Sequence, residues 1–100
     1  MNTLEKVTAA RKILELPDRA TLQEIKSNYK RLVSKWHPDK CQDDESRCHE
    51  MTQKLNSAYK TIMAYCEQYK FSFEEAEIRK YMTDEEWWFE RFGQDPLWGK

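Results

Sequence analysis

The sequence predicts an all-α protein, an antiparallel hairpin of two long helices with a short helix before it and one or two additional helices at the C-terminus. Three observations carry that expectation. Only 2 glycines and 3 prolines occur in 100 residues, too few turn signals for a many-stranded sheet. Apolar residues recur at steps of three and four, the period of a helix face. At three points a Ser or Thr stands three residues before a Glu, the spacing of a capping box.

Each element follows from its own signals. From Leu4 to Leu16, Val7, Ala10, Ile13 and Leu14 keep helical spacing, and Pro17 closes the pattern by disfavouring helix at the residue before it. In "PDRATLQEI", Thr21 and Glu24 form the first capping box, so a second helix starts at Thr21 or Leu22. Its apolar stripe is Leu22, Ile25, Tyr29, Leu32, Val33 and Trp36, and its other side carries Lys26, Lys30, Arg31 and Lys35. Pro38 cannot continue that helix and pushes His37 out of the helical region.

After the polar loop "DKCQDDES", Asp43, Asp44 or Ser46 caps a third helix of comparable length, with the stripe Met51, Leu55, Ala58, Tyr59, Ile62 and Tyr65 or Cys66. Two long amphipathic helices joined by about ten residues or fewer lie antiparallel, burying their stripes against each other and against the first helix. Beyond Lys70 the texture changes. "FSFEEAEIRKYM" offers Ser72 and Glu75 as a second box, "TDEEWWFERF" offers Thr83 and Glu86 as a third, and Gly93 is a stop signal. The chain therefore divides into residues 1–70 and an acidic, aromatic-rich helical extension, residues 71–100, expected to pack on the first part.

Composition narrows the function. With 39% apolar and 13% aromatic residues the chain can bury the core of one small domain. "MNTLEKVTAARK" lacks the apolar block of a signal peptide and no run is long enough to span a bilayer, so the chain reads as neither secreted nor membrane-spanning. Cys41, Cys48 and Cys66 are an odd set, which rules out complete intramolecular pairing and suggests a reducing compartment, the cytoplasm. Cys48, near a helix N-terminus, sits where a reactive thiolate is favoured.

Net charge is −1, but residues 1–70 hold 13 Lys/Arg against 10 Asp/Glu while residues 71–100 hold 4 against 8. That balance, and a basic helix without interleaved exposed aromatics, argue against nucleic acid. The acidic neighbours of the C-terminal aromatics argue against an anionic membrane surface. Around His37 there is no paired nucleophile, glycine-rich phosphate loop or acid/base constellation, so neither catalysis nor a cofactor is expected. Cys41, Cys48, His49, Cys66 and His37 are ligand types that zinc accepts, but their spacing fits no zinc pattern, and no metal is expected.

The basic helix "EIKSNYKRLVSKW", the tripeptide His37-Pro38-Asp39 and the following "LNSAYKTI" together resemble the J domain of DnaJ-type co-chaperones. The resemblance runs from about Ala10 to Tyr69 and includes "ILELPDRATLQEIK", similar to the family's opening helix and turn. It implies a module that binds a DnaK-type (heat shock protein 70 family) chaperone and stimulates its ATP hydrolysis, promoting client capture in protein folding without performing chemistry itself. Residue by residue, His37, Pro38 and Asp39 match the stimulating tripeptide. Lys26, Tyr29, Lys30, Arg31 and Lys35 fall on the docking helix, and Lys40 extends the positive patch.

This chain departs from the family pattern at several places. Ala10 and Arg11 replace paired tyrosines, Glu15 stands where glycine is common, and Thr52 stands where an aromatic is usual. The first helix is accordingly expected to be longer and differently packed. A basic "QKR" fourth helix, a glycine/phenylalanine linker and zinc repeats are all missing, which points to the minimal class sharing only the J domain. Trp87, Trp88, Phe92 and Trp98, with Phe89, either pack on the hairpin or bind a client or adaptor protein. The alternative function is a J-like scaffold that no longer activates an ATPase and binds partners through those aromatics.

Overall fold

The computed structural model describes residues 2–92, with five helices and no strand among them: α1 Thr3–Ile13, α2 Leu22–Trp36, α3 Glu45–Gln68, α4 Glu75–Arg79 and α5 Asp84–Phe92. The all-α expectation is met. The chain forms two compact units, Met1–Tyr69 and Lys70–Lys100.

In the first unit, the Asn2 side chain accepts the Glu5 N–H at 2.9 Å and starts α1. The helix is shorter than expected, because it turns out of line before Pro17 can act. The Glu15 N–H donates to the Lys12 carbonyl and the Leu16 N–H to the Arg11 carbonyl, which is the double closure of a Schellman motif. That motif needs a left-handed residue, and Glu15 supplies it with φ 54°. A residue with a Cβ pays about 1–2 kcal/mol for that conformation. Three side chains compensate. Asn28 Nδ2 donates to both the Leu14 and Glu15 carbonyls at 3.1 Å, Arg11 donates to the Leu16 carbonyl at 2.9 Å, and the Arg31 guanidinium meets the Glu15 carboxylate at 3.2 Å.

The first capping box forms as expected. Thr21 Oγ1 accepts the Glu24 N–H at 3.1 Å and the Glu24 carboxylate accepts the Thr21 N–H at 3.0 Å. Along α2, Ile25 and Leu32 are buried and Tyr29, Val33 and Trp36 half-buried, whereas Leu22, in the first turn, is exposed. Asp44 caps α3 by accepting the Arg47 N–H at 2.8 Å. At 24 residues against 15, α3 is much longer than α2, so the expectation of comparable lengths is corrected.

The hairpin is antiparallel. Tyr29, midway along α2, touches Tyr59 and Asn56, while Trp36, at its end, touches Thr52 and Arg47, so contacts recede along α3 as α2 advances. Ala10, Leu14 and Leu16 from α1 and its turn close the core with Ile25, Leu32, Leu55, Ala58 and Ile62.

In the second unit, the Ser72–Glu75 box does not form. Ser72 Oγ accepts the Glu74 N–H two residues on at 3.2 Å, α4 begins after Glu74 without a side-chain cap, and Glu75 reaches forward to pair with Arg79. The Thr83–Glu86 box does form, with the Glu86 N–H donating to Thr83 Oγ1 at 3.1 Å and the Thr83 N–H to Glu86 at 3.4 Å. Gly93 lies outside the described residues. Among those described, no helix is long and apolar enough to cross a membrane.

Candidate functional site

The tip of the hairpin carries the tripeptide. At His37 the backbone leaves the helix with φ −61° and ψ 138°, as the following proline requires. The chain then closes one tight turn, with the His37 carbonyl accepting the N–H groups of Lys40 and Cys41, both at 2.9 Å. His37 Nδ1 accepts the Asp39 N–H at 3.2 Å, which leaves the imidazole proton for Nε2 on the far side of the ring. The Asp39 carboxylate stands 3.7 Å from Nδ1 with 87% of the side chain exposed. The site thus offers a carboxylate acceptor and an imidazole donor to an incoming partner, on a backbone already fixed by two hydrogen bonds.

The basic residues behind the turn are not equivalent. Lys26, Lys30, Lys35 and Lys40 are exposed, and among the described residues no carboxylate lies within ion-pair distance of them. Arg31 is exposed too, but its charge is partly neutralised by Glu15. Tyr29 faces the other way. Its ring stacks on Tyr59 with centroids 4.0 Å apart and 13° between planes, and its hydroxyl donates to Asn56 Oδ1 at 2.6 Å. It therefore anchors α2 to α3 and does not face solvent with the lysines. A shallow groove beside the turn is lined by Arg31, Ser34, Lys35, Trp36 and Lys40, among others.

Several residues that hold this tip were not singled out in sequence as supports. Arg47 lies over the Trp36 ring at 5.6 Å and pairs with Asp43 at 3.5 Å, clamping the end of α2 to the start of α3. The Thr52 hydroxyl is within 2.9 Å of the Cys48 carbonyl and 3.2 Å of the Trp36 carbonyl, the last of α2. Thr52, a departure from the family pattern, thus helps satisfy a helix end. No local signal marks Arg47.

Cys41 and Cys48 are joined by a disulfide, with Cα atoms 6.4 Å apart, and Cys66 remains a free thiol. An odd number of cysteines leaves one over but does not forbid a bridge, so the cysteine count carries no weight for compartment. Nor is Cys48 a free reactive thiol. Among the described residues no three His, Cys, Asp or Glu side chains converge as a metal site would require.

Of the C-terminal aromatics, Trp88 is 46% exposed, and Phe71, Phe73, Tyr81 and Phe89 are more exposed still. The side chains of Trp87 and Phe92, and Trp98 altogether, lie outside the described residues.

The comparisons with known proteins agree on one region. The DnaJ domain family model matches residues 11–68. Fifty residues are 44% identical to the Chaperone protein DnaJ 2 of Aquifex aeolicus, covering 50% of this chain and 13% of that protein. Over 50 residues it is 38% identical to the Chaperone protein DnaJ of Thermotoga petrophila, covering 50% of this chain and 14% of that one. Identity reaches 67% over 27 residues with the DnaJ-like protein MG002 homolog of Mycoplasma pneumoniae, which is 27% of this chain and 9% of the relative. The match thus spans less than one-seventh of each of these curated relatives. No solved structure matches the chain.

Proposed function

Because the chain belongs to the DnaJ domain family, we propose that it acts as a co-chaperone that docks on a DnaK-type ATPase, accelerates its ATP hydrolysis and so promotes client capture. The reading rests above all on the turn at His37, Pro38 and Asp39, solvent-exposed and hydrogen-bonded, at the end of a helix whose lysines are exposed. Lys26, Lys30, Lys35 and Lys40 steer an acidic surface of the partner and set its orientation. Asp39 then accepts hydrogen bonds from an arginine or from backbone N–H groups of the partner, and Pro38 keeps the turn in shape for it. Arg31 and Tyr29 act chiefly from behind, by holding α2 in place. All of the chemistry belongs to the partner. Neither nucleic acid nor a membrane is its target in this reading.

A single-turnover ATPase assay with a DnaK-type chaperone tests the reading. The protein should accelerate hydrolysis and His37→Gln should not. No acceleration by the wild-type chain, or equal acceleration by the variant, defeats it.

The second reading, a J-like scaffold that activates no ATPase, is favoured by one observation, the exposure of Phe73 at 83% and Phe89 at 66% beside acidic residues. Trp87, Trp88, Phe92 and Trp98 would then be its partner-binding residues. Under the co-chaperone reading the same segment, residues 71–100, selects the client or adaptor.

A further inference from the structure

We propose that Cys41 and Cys48 form a redox clasp on the turn that carries His37, Pro38 and Asp39, holding it against α3 when oxidised and releasing it when reduced. The consequence for docking rests on the co-chaperone reading above; the clasp itself rests on four observations. The two Cα atoms, 6.4 Å apart, are within the span a disulfide bridges without moving the backbone. Cys48 is fully buried yet is no part of the main core cluster. Both sulfurs lie near one atom, the Asp43 carbonyl oxygen, at 3.8 Å from Cys41 and 3.6 Å from Cys48. Finally, the Cys41 N–H donates to the His37 carbonyl. The bridge is therefore attached to the hydrogen-bonded turn itself and not to slack chain, and a continuous path runs from His37 through Cys41 to Cys48 on α3.

Cys66 cannot substitute for either partner. It lies 18 residues beyond Cys48 on the same helix, about 27 Å along the axis at 1.5 Å per residue. The pairing is thus set by the fold.

The exchange needs an oxidant, and a low-molecular-weight disulfide such as oxidised glutathione supplies it. Cys41, half-buried where Cys48 is fully buried, is the sulfur such a molecule can reach. Its thiolate attacks one glutathione sulfur, the S–S bond of glutathione breaks, and one glutathione thiolate leaves. The Cys48 thiolate then attacks the Cys41 sulfur of the mixed disulfide and expels the second. One disulfide is reduced, one is formed, and the two protons of the cysteine thiols end on two glutathione thiols. Reduced glutathione or a dithiol reverses the sequence.

Oxidation acts on docking through order. A turn pinned at both ends has less freedom to lose when the partner closes on it, and immobilising one or two side chains in advance corresponds to roughly a three- to ten-fold gain in affinity. The full chain, equilibrated with oxidised or reduced glutathione and then freed of it, should be alkylated, peptide-mapped, melted and assayed with a DnaK-type chaperone. After oxidation we expect one linked peptide pair through Cys41 and Cys48 with Cys66 alkylated, and a melting temperature raised on the order of 10 °C. Half-maximal stimulation should then need roughly three- to ten-fold less protein. Cys41→Ser should behave as the reduced form under both conditions. Linkage through Cys66 or between chains overturns the proposal, as does equal stimulation by both forms. If neither form stimulates, the co-chaperone reading fails, and the clasp is judged by hydrogen exchange at the Lys40 and Cys41 amides. Slower exchange after oxidation upholds it and unchanged exchange overturns it.

Discussion

Replacing Asn28 with alanine removes the side chain that joins α2 to the turn after α1. Its amide donates two hydrogen bonds at 3.1 Å, to the carbonyls of Leu14 and Glu15. Each is worth about 1 kcal/mol net, and the Leu14 carbonyl belongs to a fully buried residue for which water is a poor substitute. Against that loss of about 2 kcal/mol, alanine is the better helix former by about 0.5 kcal/mol, leaving about 1.5 kcal/mol of destabilisation. In a domain of this size the melting temperature should fall by about 6–12 °C. The neighbouring Ser27→Ala supplies the control, since Ser27 is exposed and gains the helix propensity alone. It should leave the melting temperature unchanged or raise it slightly. Circular-dichroism melts of the three full-length chains decide the matter. If Asn28→Ala melts within about 2 °C of wild type, the left-handed Glu15 does not depend on Asn28 and the compensation described above is wrong.

Two further outcomes are expected. Glu24 has its pKa lowered, first by the Thr21 backbone N–H and then by the Thr21 side chain. A carboxylate lowered in the folded state contributes stability above its unfolded value of about 4.3, and the contribution is lost as pH falls through the lower folded value. The melting-temperature gap between wild type and Glu24→Gln should therefore narrow as pH falls below the unfolded value of about 4.3, and a gap that stays constant in acid counts against the linkage. Stimulation of the ATPase should also weaken with salt, by roughly ten-fold between about 50 and 250 mM. A titration at both salts should find most of that dependence gone in Lys30→Ala/Lys35→Ala and little changed in Arg31→Ala, whose charge Glu15 already offsets. Equal effects of the two variants would contradict the division drawn here.

What could be read from the sequence was local, and what could not was held in place by distant residues. The Thr21–Glu24 box, the stripe from Ile25 to Trp36 and the break at Pro38 all lie within a few residues of their causes. Glu15 shows the opposite case. Nothing nearby announces a left-handed glutamate, because the groups that compensate for it, Asn28 and Arg31, are 13 and 16 residues away. The Ser72–Glu75 spacing repeats the pattern of Thr21–Glu24 but does not make the box, since Glu74 takes the serine oxygen and Arg79 the glutamate. In the site, residue type and spacing announced only the break at Pro38; the tripeptide and its lysines were singled out through the resemblance to the J domain. The inward turn of Tyr29 was half legible, as its place in the apolar stripe conflicted with a docking role. The Cys41–Cys48 bridge was not, because spacing alone does not say whether a loop folds back.

The two contacts that fasten α2 to α3 have a rotational consequence. Tyr29 stacked on Tyr59 and Trp36 held by Thr52 and Arg47 are seven residues apart, two turns along one line of the helix. A rod fastened at one point can still swivel; fastened twice along the same line, its roll angle is set. Each residue advances the helix by about 100°, so the azimuth of Lys26, Lys30 and Lys35 is decided by where the rings of Tyr29 and Trp36 are held. A lysine moved by one position would point into a different quadrant although the net charge stayed the same. Transplanting the basic helix into another scaffold should therefore carry Tyr29 and Trp36, with the surfaces they rest on, as the indexing marks that give the lysines their bearing.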